Sequence, residues 1–189
     1  ICSATKSSDA TGAPPTMIPQ ARLVRIAIFD VDGVLSNGGL HYADTGDAMK
    51  TFDVRDGMGM KLLQDSGVEL AIITSRRAGS VRERAADLGI RHIQQGVANK
   101  YAAFETLLAG LKLEPEQAAF LGDDLVDLPV FRQCGFAVTV ADAPAILKRH
   151  ADYVTRAKGG HGAAREFCEV ILHNQNQLAG QTARFLGAA

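Results

Sequence analysis

The sequence predicts an α/β fold built on a doubly wound parallel sheet. Three observations carry this. Short continuous apolar runs recur along the chain, at 23–29, 68–74, 118–121 and 136–140. Runs of that length suit parallel strands buried on both faces. Helical stretches lie between them, most with a glycine just after, the expected C-terminal stop. Polar residues able to do chemistry stand at the carboxyl ends of the runs, where open α/β sheets bind ligands.

Taken in order, residues 1–20 are rich in Ser, Thr, Ala, Gly and Pro, and Pro14-Pro15 and Pro19 oppose regular structure. A flexible N-terminal arm is expected there. The run 23–29 forms the first strand and ends at Asp30. Residues 38–53 then break the alternation, reading as a projecting β-hairpin with strands at 39–42 and 48–52 and a turn at 44–47. A helix over 58–66 stops at Gly67, the run 68–74 follows, and a second helix over 80–88 stops at Gly89. The amphipathic stretch 100–110, the run 118–121, a helix over 125–134 before Gly135, and the run 136–140 complete the alternation. The Gly159–Gly162 stretch connects to a last helix. The domain is expected over 21–178, with a C-terminal tail at 179–189.

Bulk properties narrow the functions. The 189 residues suit one domain, and a formal net charge of -1 does not advertise a nucleic-acid or membrane-surface partner. Cys2, Cys134 and Cys168 form no close pair, so reduced thiols and a cytoplasmic location are expected. No apolar run is long enough to span a bilayer. The five histidines show no metal-ligand spacing.

The chemistry concentrates at FDVDGVL (29–35), TSRR (74–77), Lys100 and GDDLVD (122–127). The topology brings these distant segments together. Asp30 and Asp32 lie two apart on an extended segment, so both carboxylates can face one pocket. Paired like charges need a cation, and Asp123, Asp124 and Asp127 add more negative charge. Mg²⁺ suits hard oxygen ligands and leaves positions for phosphate. Asp30 can attack phosphorus as a nucleophile, and Asp32 can serve as acid and then base. Thr74 or Ser75 can hold phosphoryl oxygens, with Lys100 countering their charge. Simpler roles compete: Asp127 suits a helix N-terminus, and Lys61, Arg76 and Arg84 suit solvated helix faces.

These boxes, in this order, resemble the haloacid dehalogenase superfamily, a Rossmann-like fold. The resemblance implies magnesium held by Asp30, the backbone carbonyl of Asp32, and Asp123. FDVDGVLS-NGGL, TFDVRDGMG, IITSR, GDDLVDLPV, ADYVT and GGHGAARE further resemble the 3-deoxy-D-manno-octulosonate 8-phosphate phosphatases. That resemblance implies a capless homotetramer acting in lipopolysaccharide precursor synthesis, with each site completed by a neighbouring subunit. It also implies a small sugar-acid phosphate as partner, contacted by Asp32, Asp53, Val54, Arg55, Asp56, Gly57, Arg76, Arg84 and Lys100. Gly159–Gly162 ahead of Arg165 resembles that family's lid over an adjacent site. Lys61, Ser75 and His161 depart from the family's usual Arg, Gly and Arg, at positions that touch specificity. The alternatives are a nonulosonate 9-phosphate substrate, a receiver-like domain that accepts a phosphoryl group without turnover, and a structural oligomer on a decayed enzyme.

Overall fold

The computed structural model describes residues 17–42 and 48–187. Strand β1 (Ile26–Phe29) is fully buried. Strands β2 (His41–Tyr42) and β3 (Ala48–Met49) pair antiparallel, His41 opposite Met49. The turn expected at 44–47 lies outside the described residues. The chain continues through helix α1 (Val54–Asp65), strand β4 (Glu69–Thr74), helix α2 (Gly79–Leu88) and strand β5 (His92–Gln95). Helix α3 (Lys100–Leu111), strand β6 (Ala118–Gly122), helix α4 (Leu128–Phe131) and strand β7 (Phe136–Thr139) follow. Helix α5 (Ala145–Lys148), strand β8 (Tyr153–Val154), helix α6 (Ala163–Asn174) and helix α7 (Leu178–Ala183) complete it.

Six strands form one sheet in the order β5-β4-β1-β6-β7-β8, every pair parallel. The chain first moves outward from β1 to β4 and β5, then returns to the other side of β1 with β6. The order therefore reverses between β1 and β6, which makes their carboxyl ends the crevice of a doubly wound sheet. Asp30 and Asp123 follow those two strands directly.

Aromatic rings fix the layers. Phe29 of β1 meets Phe167 of α6 edge-on at 5.4 Å, and Phe120 of β6 meets Phe131 of α4 at 6.2 Å. Phe29, Phe120 and Phe167 are wholly buried, and truncating any one to Ala would cost ~3–5 kcal/mol. Among the described residues, no helix is long and apolar enough to cross a membrane.

Several elements differ from expectation. Strand β5 reads HIQQ, a polar edge strand without an apolar run, and β8 has only two residues. Helix α1 starts at Val54, four residues before the expected 58, because the Asp53 carboxylate accepts the Arg55 amide as its cap. Helix α3 passes through Gly110 and stops at Lys112, which adopts the left-handed conformation at φ 54°. The helix expected over 125–134 is a 3₁₀ turn (Leu125–Asp127) followed by α4, because the Asp127 side chain folds back to take the Asp123 and Asp124 amides. Packed structure begins before residue 21. Ile18 is buried and its amide donates to Asn174 Oδ1 at 2.7 Å. The expected tail at 179–189 opens within α7, where Gln181 is buried.

Candidate active site

The crevice holds a compact charge cluster. Lys100, the first residue of α3, reaches Asp30 Oδ2 at 2.5 Å and Asp127 Oδ1 at 2.6 Å. Its position comes from Asn99, whose side chain caps the helix by accepting the Ala102 amide. The other oxygen of Asp30 accepts the Val31 amide at 2.6 Å, so both oxygens are oriented. Asp30, Asp123 and Asp127 each offer an oxygen, all lying within 4.8 Å of one another.

Charge does not balance among these four side chains. One ammonium faces three carboxylates in a largely buried space. Burial, Asp30 and Asp127 push Asp123 up to about 8. Burial raises Asp30 to about 6, against the pull of Lys100. Burial alone would lower Lys100, but Asp30 and Asp127 outweigh it and its pKa is raised. The site therefore favours one more cation with a preference for oxygen.

Asp127 is fully buried and both its oxygens are taken, one by Lys100 and one by the amides of Asp123 and Asp124. Asp30 accepts one hydrogen bond at each oxygen and the Asp123 carboxylate none from a described residue, against three on Asp127, so Asp30 and Asp123 have the most capacity left for a divalent ion. Sequence reasoning left Asp127 at a helix terminus and missed its pairing with Lys100. The four-residue spacing from Asp123 across a tight turn was the available signal.

Gly33 explains the glycine of the first box. It has φ of 79°, and an added Cβ would lie 1.9 Å from Asp123 Oδ2. Only a residue without a side chain lets the two strand-end loops meet.

Around this cluster lies a second group. Asp32 Oδ1 accepts from Lys50, whose side chain is 2% exposed. Arg76 Nε stands 3.8 Å from Asp32 Oδ2. Thr74 is buried at the end of β4, and Ser75 next to it is exposed. Lys50, in the return of the hairpin region, carried no motif and was not singled out from sequence.

The segment 53–57 serves its own chain more than the crevice. The Asp56 carboxylate is buried, and it accepts the amides of Arg165 at 2.7 Å and Gly162 at 3.4 Å. Asp56 thus caps helix α6, so its oxygens are unavailable to a substrate as placed. Burial raises its pKa. Arg84 donates to the Asp53 carbonyl at 3.0 Å and lies over the Phe52 ring. An added Cβ at Gly57 would lie 2.4 Å from the Arg84 guanidinium, so Gly57 is the space Arg84 fills. Arg55 pairs with Asp53, Val54 is 79% exposed, and Lys61 is exposed on α1.

The glycine-rich segment ahead of Arg165 packs on its own chain. Gly160 donates to the Val34 carbonyl at 2.8 Å, and Gly159 to Asp142 Oδ1 at 3.1 Å. The Gly159–Gly162 segment therefore packs against the Asp30 loop of its own chain. Its glycines permit this close backbone approach.

Comparison with known proteins agrees with this geometry. A haloacid dehalogenase-like hydrolase family profile matches residues 90–167. The chain is 48% identical over 166 residues to the 3-deoxy-D-manno-octulosonate 8-phosphate phosphatase KdsC of Yersinia pestis, covering 88% of this chain and 89% of that one. The crystal structure of the Yersinia pestis phosphatase superposes with a TM-score of 0.85, covering 87% of this chain and 89% of that one. The Moraxella catarrhalis phosphatase, solved with magnesium ion, phosphate ion and KDO, is 41% identical. It superposes with a TM-score of 0.86, over 88% of this chain and 96% of that one. The chain belongs to the haloacid dehalogenase-like hydrolases, in the family of 3-deoxy-D-manno-octulosonate 8-phosphate phosphatases, and is an enzyme acting on phosphate monoesters.

Proposed function

We propose that this enzyme hydrolyses 3-deoxy-D-manno-octulosonate 8-phosphate to the free sugar acid and phosphate. The reaction requires magnesium, passes through an aspartyl-phosphate on Asp30, and serves lipopolysaccharide precursor synthesis. The observation that carries the reading is the convergence of Asp30, Lys100, Asp123 and Asp127 at the reversal point of the sheet. The names of the close relatives supply the substrate.

Asp30 attacks phosphorus and the bond to the sugar oxygen breaks. Asp32 gives its proton to the departing alkoxide. Asp32, now ionised, takes a proton from water, the water oxygen attacks phosphorus, and Asp30 is released with phosphate. Lys100 holds Asp30 in its ionised form and faces the phosphoryl oxygens, and Thr74 lies at the end of the neighbouring strand. Asp30, Asp123 and the Asp32 carbonyl would hold Mg²⁺, which when bound neutralises the carboxylates and polarises the phosphoryl group.

Arg76 and Ser75 stand at the exposed rim and suit the sugar-acid end of the substrate, where Arg offers a bidentate fork. Lys61, Arg55 and Val54 are exposed on α1, and Met49 of the hairpin is 71% exposed. These residues fit a homotetramer in which a neighbouring subunit covers the rim and completes the site. Free Cys134 and Cys168 suit a reducing cytoplasm.

The test is phosphate release from a panel of sugar phosphates, with and without Mg²⁺. The expected result is Mg²⁺-dependent turnover strongly preferring 3-deoxy-D-manno-octulosonate 8-phosphate. Preference for a nonulosonate 9-phosphate would keep the Asp30 chemistry and replace the substrate. No turnover with any phosphate would overturn the reading.

A further inference from the structure

Lys50 is the described side chain whose placement the reaction above does not use. Next to it Met49 is 71% exposed, while the Lys50 side chain is 2% exposed. Buried lysines are rare unless paired. This one turns inward and meets Asp32 Oδ1. The contact makes the two oxygens of Asp32 inequivalent. Oδ1 is held, whereas Oδ2 is buried without a hydrogen-bond partner among the described residues, with Arg76 Nε 3.8 Å away. A buried, unpartnered carboxylate oxygen is costly unless it has work to do.

We propose that Lys50 is a positioning residue for the reaction: it clamps Oδ1 of Asp32 so that Oδ2 faces the substrate as the oxygen that passes the proton. The hairpin region thereby contributes to the active site through one side chain, although its strand pairing is short. The clamp works through Asp32 and touches neither phosphorus nor the attacking water. A carboxylate free to rotate would present either oxygen at varied distance, and proton transfer falls off steeply with misplacement.

The inference rests on Asp32 being the acid and base. Four variants test it: Lys50→Met, which keeps the chain length and loses the charge, Lys50→Arg, Asp32→Asn, and Asp32→Asn combined with Lys50→Met. Turnover is measured with Mg²⁺ on the preferred sugar phosphate, and folding is checked by thermal melting. The expected result for Lys50→Met is a kcat lower by ~10–100-fold with KM within ~3-fold of wild type. Lys50→Arg should restore most of the loss. In the Asp32→Asn background, Lys50→Met should cost nothing further, because the two residues act as one unit.

A raised KM with kcat unchanged would make Lys50 a substrate contact and overturn the proposal. Full additivity with Asp32→Asn, or no effect of Lys50→Met, would overturn it as well. Failure of the underlying reading looks different: wild type would show no Mg²⁺-dependent turnover, or Asp32→Asn would leave kcat intact.

Discussion

The inner cluster and the exposed side chains proposed to meet substrate are built in opposite ways. Asp30, Lys100, Asp123 and Asp127 hang from strand ends and a helix start, are mostly buried, and hold one another through short hydrogen bonds. Val54, Arg55, Lys61, Ser75 and Arg76 are exposed, and the one described ion pair that Arg55 makes is local, with Asp53. The inner group is fixed by a single chain's core. Substitutions in this exposed group should cost the fold little.

Experiments can sharpen or break this contrast. The largest effect is expected from Asp30→Asn, with loss of turnover of at least ~10³-fold and a melting temperature no lower than wild type. Measurable turnover in that variant would remove Asp30 as nucleophile. Next, Asp127→Ala leaves Lys100 with one partner and frees the part-buried amides of Asp123 and Asp124. It should cost ~3–5 kcal/mol in chemical denaturation, as the loss of one member of a buried pair does. A cost under ~1 kcal/mol would mean that the inner group is as loosely held as the exposed one.

A pH series gives a smaller effect of defined sign. Burial beside Asp30 and Asp127 pushes Asp123 to about 8 in the metal-free protein, far above its ordinary value of 3.8. The folded state then binds more protons than the unfolded state between those values, so stability must fall as pH rises through that window. The metal-free enzyme should melt a few degrees lower, ~2–5 °C, at pH 8 than at pH 6. Saturating Mg²⁺ should remove the difference by binding the ionised form. A metal-free protein that melts higher at pH 8 would contradict the charge imbalance. The smallest effect belongs to Lys61→Arg, which should alter stability by no more than ~0.5 kcal/mol while lowering KM for the octulosonate phosphate by ~2–10-fold through a bidentate contact. A change in kcat alone would place Lys61 outside substrate binding.

Much of the sheet was legible because β1, β4, β6 and β7 are unbroken apolar runs. Edge strand β5 escaped because HIQQ is half exposed, and β8 because two residues carry no period. Asp30, Thr74, Lys100 and Asp123 announced themselves by standing where runs end. The partners that hold them did not. Asp127 and Lys50 act through side chains that turn back across a loop or a hairpin, and linear spacing does not record that reversal. Asp56 and Arg84 were legible as charges, but their burden is structural: one caps α6 and the other braces the Asp53 carbonyl. A charge near a site does not say which way it faces.

The bond from Gly160 to the Val34 carbonyl sets an order of events. Every member of the inner cluster has been synthesised once the ribosome has passed Asp127, yet the loop carrying Asp30 still lacks its neighbour. The loop acquires that neighbour when the segment holding Gly160 has emerged and α6 has docked. A chain ending at residue 158 would carry all four cluster residues and is expected to be inactive. Catalytic competence would thus wait until α6 has been made and has docked.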